Sequence, residues 1–285
     1  MTVTENRGWL LSVILTAGAA VLTGLVLSES HASDRTAYRK NRRDGSPDRR
    51  KTLPASRPAS TSRPARAGQV RFIRLKYSGK DWDANMGRGL DHNLLVKFNE
   101  ITGFAIADNT EHKEISRLAR FRSGKAPPFV YMTGSGGIKL SRAEVRILRG
   151  YCLKEGGMIL ADSAGGNFAQ SFRAMCKMVF PDKKLVDIHD DDPLYSEPFK
   201  FVKGAPLLLS KKSRPQGIKH KGRWMVFYHP GNMGGLWKTG HSGASKALAD
   251  RAYKLGINIM YYSFTRYLNI HHSKPTTRPG RKADQ

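Results

Sequence analysis

Gly156-Gly157-Met158-Ile159-Leu160-Ala161-Asp162-Ser163-Ala164-Gly165-Gly166 is the stretch that decides the fold. Met158 to Ala161 is a short, continuous apolar run of the kind that fills a strand buried on both faces. The run stops at the polar pair Asp162-Ser163, and two glycines then turn the chain. Beyond them Phe168, Phe172, Met175, Cys176 and Val179 recur at helical spacing, and Pro181 marks the end of that helix. Strand, polar pair, glycine turn and helix make half of a βαβ unit. In open sheets built of such units, ligands gather outside the carboxyl ends of the strands, beside helix N-termini.

The same alternation extends in both directions. Val70–Tyr77 reads as a strand, and Asp91–Thr102 as a helix with Leu94, Leu95, Phe98 and Ile101 on one face. Phe129–Thr133 reads as a buried strand ending at Gly134-Ser135-Gly136-Gly137. Ser141 and Glu144 have capping-box spacing before a helix carrying Val145, Leu148, Cys152 and Leu153. A strand near Trp224–Tyr228, a helix over about Ala244–Leu255 and a second helix over Gly256–Leu268 complete the series. Strands separated by helices of this length predict right-handed parallel crossovers. The expected fold is α/β, a three-layer doubly wound, mostly parallel sheet.

The ends read differently. Trp9 to Leu27 is an uncharged apolar run long enough to span a bilayer, so residues 1–32 read as a signal peptide, cleaved after Ala32, or as a membrane anchor. The basic flank Arg35, Arg39, Lys40, Arg42 and Arg43 favours the cytoplasmic side, which opposes export. Either way the expected placement is membrane-anchored or exported to the cell envelope. Residues 33–69, rich in Pro, Ser and Arg, have no apolar periodicity and read as a disordered basic linker. Residues 70–270 carry the α/β domain, and 271–285 read as a disordered tail.

Lys and Arg total 49 against 23 Asp and Glu, a net charge of +26. Roughly +16 of it falls on residues 67–270, so the globular part is itself basic. Such a surface attracts polyanions, including anionic envelope polymers and lipid head groups. The segment Lys211 to Arg223 is its densest cluster. No nucleic-acid motif accompanies it, so specific nucleic-acid recognition is not expected. The two cysteines, Cys152 and Cys176, allow no metal spacing and read as buried thiols.

Several blocks follow one another in order: Arg71-Phe72-Ile73-Arg74-Leu75-Lys76-Tyr77 with Trp82, Asn93-Leu94-Leu95 and Thr102, then Phe129 to Gly134 with Leu140-Ser141 and Glu144, then Gly156-Gly157 to Asp162-Ser163. Phe180-Pro181, Asp192-Pro193-Leu194-Tyr195, Gly222-Arg223 and Leu255-Gly256-Ile257-Asn258-Ile259 continue the series. In this order, over about residues 70–268, they are similar to the blocks of the bacterial domain of unknown function 4159. The resemblance implies a fold like the class I glutamine amidotransferase domain (flavodoxin-like), and often a membrane-linked or exported protein. It supplies no established reaction and so no catalytic residues. The chain departs from the family pattern at Asp191-Asp192-Pro193, where the family tends to show Asp-His-Pro. It departs again at His229-Pro230-Gly231-Asn232-Met233, where a Ser-Pro and a later Asp are expected.

Ser163 occupies the elbow where the amidotransferase fold holds a nucleophile. The N–H groups of Ala164 and Gly165 are the candidate oxyanion donors, and His229 the candidate base. The competing reading makes Asp162 and Ser163 simple caps of the helix that follows. Gly231 stands where amidotransferases place the acid that orients the His, so no orienting acid is legible. Gly134, Ser135, Asp162, Ser163, Ala164, Gly165 and Asn232 are the expected ligand-binding set, with the glycine loops 134–137 and 231–235 as anion nests. Neither loop ends as a P-loop does. His189-Asp190-Asp191-Asp192 reads as a solvated acidic turn, so no metal or cofactor is expected. The first functional expectation is a binding module without established catalysis, taking an unidentified ligand at the carboxyl edge. A Ser163–His229 hydrolase and a non-specific binder of anionic polymers or lipids are the alternatives.

Overall fold

A computed structural model describes residues 69–209 and 214–272. The expectations for residues 1–32, for nearly all of the linker and for most of the tail lie outside the described residues. The strands are β1 (Ile73–Lys76), β2 (Ser78–Gly79), β3 (Glu111–Glu114), β4 (Phe129–Gly134), β5 (Ile138–Lys139), β6 (Met158–Ser163), β7 (Val186–Asp187), β8 (Gln216–His220) and β9 (Arg223–His229). The α-helices are α1 (Leu90–Thr102), α2 (Arg142–Leu153), α3 (Phe168–Val179), α4 (Met233–Trp237) and α5 (Lys246–His272).

Seven strands form one sheet in the order β3-β1-β4-β6-β9-β8-β7. Those from β3 to β9 are parallel, and β8 runs antiparallel to both its neighbours. The fold is therefore mixed α/β with a mostly parallel sheet and helices on both faces. β4 and β6 are buried at every position, as their apolar runs require. On one face Phe72, Phe129, Tyr131, Leu160 and Phe227 pack against α1, α4 and α5. On the other, Leu75, Val130, Met132, Ile159, Ala161 and Tyr228 pack against α2 and α3.

Local signals hold where they are strong. The Ser141 hydroxyl accepts the Glu144 N–H at 3.2 Å, and the Glu144 carboxylate accepts the Ser141 N–H at 2.8 Å. That reciprocal cap is worth about 1 kcal/mol to α2. α3 buries the five-residue stripe read from the sequence, each large apolar side chain contributing roughly 1.5–3 kcal/mol.

One expectation fails, and one strand carries no sequence signal, each for a physical reason. Gly256 does not separate two helices, because α5 runs unbroken through it. A Cβ there would lie 2.6 Å from the Trp237 ring and 3.0 Å from Leu94, so the glycine lets α5 approach its neighbours. β3, the sequence Glu-His-Lys-Glu, is a polar edge strand without apolar alternation, and periodicity misses it.

Candidate functional site

The chain leaves β1 for α1 on one face and leaves β4 for α2 on the other. Where adjacent parallel strands diverge in this way, a crevice opens at their carboxyl ends. Here the chain fills that crevice itself. β2 and β5 pair antiparallel across it. The Tyr77 hydroxyl donates to the Thr133 carbonyl at 2.8 Å, and Ser135 donates to the Asp81 carboxylate. A Cβ on Gly134 would meet the Lys80 carbonyl at 2.7 Å. Gly134 and Ser135 are thus closure residues, and loop 134–137 is packed against the chain after β1.

Beneath the closure lies a polar network. Arg74 is fully buried on the α1 face of β1 and forms a bidentate pair with Asp91 in the first turn of α1. Its remaining guanidinium hydrogens reach the carbonyls of Trp82 at 3.1 Å and Ala84 at 2.7 Å, which pins the loop after β1. The guanidinium carbon sits 5.3 Å from the Tyr131 ring centroid. Burial pushes the Asp91 carboxyl up, and Arg74 opposes that shift. Sequence reading passed over Arg74. The signal available was a charge in a strand buried on both faces, which demands a carboxylate partner.

Asp162 is fully buried at the end of β6. Its two carboxylate oxygens accept the N–H groups of Met233 and Gly234 at 2.7 Å each, and the Tyr131 hydroxyl donates at 3.3 Å. Desolvation raises its pKa to about 7, although these three donors pull it down. Asp162 therefore caps α4, the helix after β9, and does not cap α3. Asn232, in the left-handed conformation, adds a second cap by accepting the Gly235 N–H at 3.1 Å. The N–H groups of the glycine loop after β9 are thus taken by the chain's own carboxyl group. Asp162 and Asn232 are consequently not available to a ligand.

Ser163 and His229 are not brought together. Asp162 and His229 are paired across β6 and β9, so their side chains share one face of the sheet, and Ser163, the next residue, points to the other. The clusters agree, with Leu160 and Phe227 on the α4 face and Ala161 and Tyr228 on the α3 face. His229 is spent locally, its Nδ1 accepting the Gly231 N–H at 3.0 Å. Burial lowers its pKa to about 4, so the ring is neutral at physiological pH. The expected oxyanion donors are spent too. Ala164 N–H goes to the Gly134 carbonyl at 3.0 Å, and Gly165 N–H to Ser163 Oγ at 3.3 Å. The Ser163–His229 dyad is therefore corrected: the sheet separates its members.

The turn after β6 is what remains open. Gly165, Gly166 and Asn167 are exposed. α3 begins there with no side-chain cap and no acid in its first turn. Gly166 has φ +54°, and a Cβ on it would collide with the Ser135 carbonyl. The buried Tyr228 hydroxyl faces Ser163. The Arg173 guanidinium lies 5.3 Å from the Tyr228 ring centroid and donates to Gln216 Oε1 at 3.0 Å. Tyr228 and Arg173 were not singled out by sequence reading.

Other expected features resolve plainly. Asp192 is buried, caps the turn Pro193–Tyr195 through the Leu194 N–H, and pairs with Lys219 at 3.0 Å. The acidic turn is thus structural in part, and no cluster among the described residues has three metal-ligating side chains. The basic segment up to Arg223 is not one patch, since Arg223 turns inward to the carbonyls of Cys152 and Gly157. Cys152 and Cys176 are buried free thiols, and burial pushes Cys152 up to about 12. Trp237 is core, its Nε1 donating to the Ala252 carbonyl at 3.0 Å.

The order of the blocks and the fold they build now meet a family model. Residues 71–264 match the model described as a domain of unknown function (DUF4159). The chain belongs to the DUF4159 family. The match spans the chain from just before β1 into α5, so the Arg74–Asp91 pair, Asp162 and the turn after β6 all lie inside the DUF4159 region. No curated protein matches the chain.

Proposed function

We propose that this DUF4159 domain is a binding module that takes an anionic group on the N–H groups of Gly166, Asn167 and the first turn of α3. The observation that carries the reading is an uncapped, exposed α3 N-terminus with the Arg173 guanidinium reaching back to the Ala169 carbonyl of its first turn at 3.3 Å. Helix N–H groups aimed at solvent, with their dipole, attract negative charge. The N–H groups of the loop after β9 are taken by the chain's own oxygens, and loop 134–137 is packed against the chain after β1, which leaves this turn for an outside ligand. The parallel strands lie in the spatial order 2-1-3-4-5, which supports a flavodoxin-like sheet and the finer, amidotransferase-like reading. In that frame the turn after β6 is the elbow, here used for binding and not for acyl transfer.

The test is an amide NMR titration with inorganic phosphate. Shifts centred on residues 165–170 are expected, with Met233–Gly235 unmoved. Shifts at Met233–Gly235, or none at the turn, would overturn the site. A fluorophosphonate probe is expected to leave Ser163 unlabelled, and labelling of Ser163 would restore the hydrolase reading. Membrane anchoring or export to the cell envelope is proposed on the apolar run Trp9–Leu27. Among the described residues no helix is long and apolar enough to cross a membrane. Recovery of the full chain in the soluble cytosolic fraction would remove that part of the proposal.

A further inference from the structure

We infer that the loop of residues 200–209 is a contact loop for an anionic lipid bilayer. Six large apolar residues are exposed among the described residues, and three of them, Val202, Leu207 and Leu209, fall within this one loop. Val202 is 82% exposed and Leu207 63%, and both lie on the rim of a groove. The loop borders an open groove of about 990 Å³ against the start of α5, with Leu208 and Leu248 in its lining. Lys200, Lys203, Arg214 and Arg251 also line the groove, and Asp190 is the only acid among the lining residues. That acid is already paired with Arg214 at 3.1 Å.

Aliphatic tips ringed by cations match the interface of an anionic bilayer. Short apolar side chains enter the acyl boundary while Lys and Arg stay at the charged head groups. The exposed tips are aliphatic, and the one aromatic residue of the lining, Phe201, packs against the core, which disfavours base stacking by single-stranded nucleic acid. The chain's charge of +26 acts in the same direction, drawing it to such a surface at long range. This surface is distinct from the turn after β6 and does not depend on it.

The buried native thiols allow a local readout in the full chain. Val202→Cys and Leu207→Cys, each carrying an environment-sensitive fluorophore, are compared with Met178→Cys, an exposed apolar position on α3. Vesicles of equal parts phosphatidylcholine and phosphatidylglycerol are expected to blue-shift the dye at 202 and 207 and to leave it unmoved at 178. Pure phosphatidylcholine vesicles should give no shift. Adding Lys200→Glu and Lys203→Glu should raise the lipid needed for half-maximal shift by roughly thirtyfold or more. Because the dye reports the loop itself, membrane attachment through residues 9–27 does not produce the pattern. Equal shifts on neutral vesicles, equal shifts at 178, or a shift given by an oligonucleotide and not by anionic vesicles would overturn the inference.

Discussion

Two glycine turns stand side by side at the carboxyl edge of the sheet, and they have opposite fates. After β9 the turn leads into α4, and its N–H groups are taken by Asp162 and Asn232. After β6 the turn leads into α3 and carries no cap. In sequence both are short glycine-rich passages from a buried strand into a helix. The difference lies in whether the fold delivers an acceptor to the helix start. An internal carboxylate makes the first turn a structural joint, and its absence leaves the second as a place for an external anion.

The comparison breaks most sharply at Asp162. Asp162→Ala strands two buried N–H donors and the Tyr131 hydroxyl, and should cost roughly 3–5 kcal/mol in chemical denaturation. A loss below about 1 kcal/mol would mean that α4 does not depend on the carboxylate.

Protonation offers a second, graded handle. The Asp162 pKa is raised from 3.8 to about 7, so the folded state holds its proton more tightly than the unfolded chain. Its contribution to stability is fully present below 3.8 and is lost as pH rises toward 7. The His229 pKa is lowered from 6.5 to about 4, so the folded state resists protonation. Its contribution is present above 6.5 and is lost as pH falls toward 4. The slopes oppose each other over one window. Asp162→Asn should therefore leave stability rising with pH from about 4 to 6.5, and His229→Asn should leave it falling from about 4 to 7. Unchanged pH profiles in both variants would sink the assignment.

Smaller effects sharpen the open turn. Gly166→Ala places a Cβ against the Ser135 carbonyl at positive φ, and should cost about 1–3 kcal/mol by thermal or denaturant unfolding. Gln170→Glu puts an acid into the uncapped first turn of α3. It should stabilise the fold by about 0.3–1 kcal/mol while weakening phosphate binding, because the new carboxylate competes for the same N–H groups. Stabilisation with unchanged phosphate binding would separate the helix terminus from the ligand.

Much of the fold was legible because burial leaves a local periodic mark. β4, β6, α2 and α3 sit within a residue or two of their expected bounds, and the Ser141–Glu144 cap forms as its spacing predicts. β3 was illegible because an edge strand needs no apolar face, and the Gly256 boundary misled because close approach and chain breaking both call for glycine.

The candidate site was legible in location and not in role. Sequence by itself determined that a buried strand ends at Asp162-Ser163 and that a glycine turn starts a helix there. Only the tertiary structure decided how those groups are spent. The β6–β9 register sets Ser163 and His229 on opposite faces of the sheet. Strand order carries Asp162 to a helix start 71 residues further along the chain. The physical reason is that periodicity is fixed by neighbours in sequence, whereas a buried carboxylate takes whatever donors the packed sheet brings within about 3 Å.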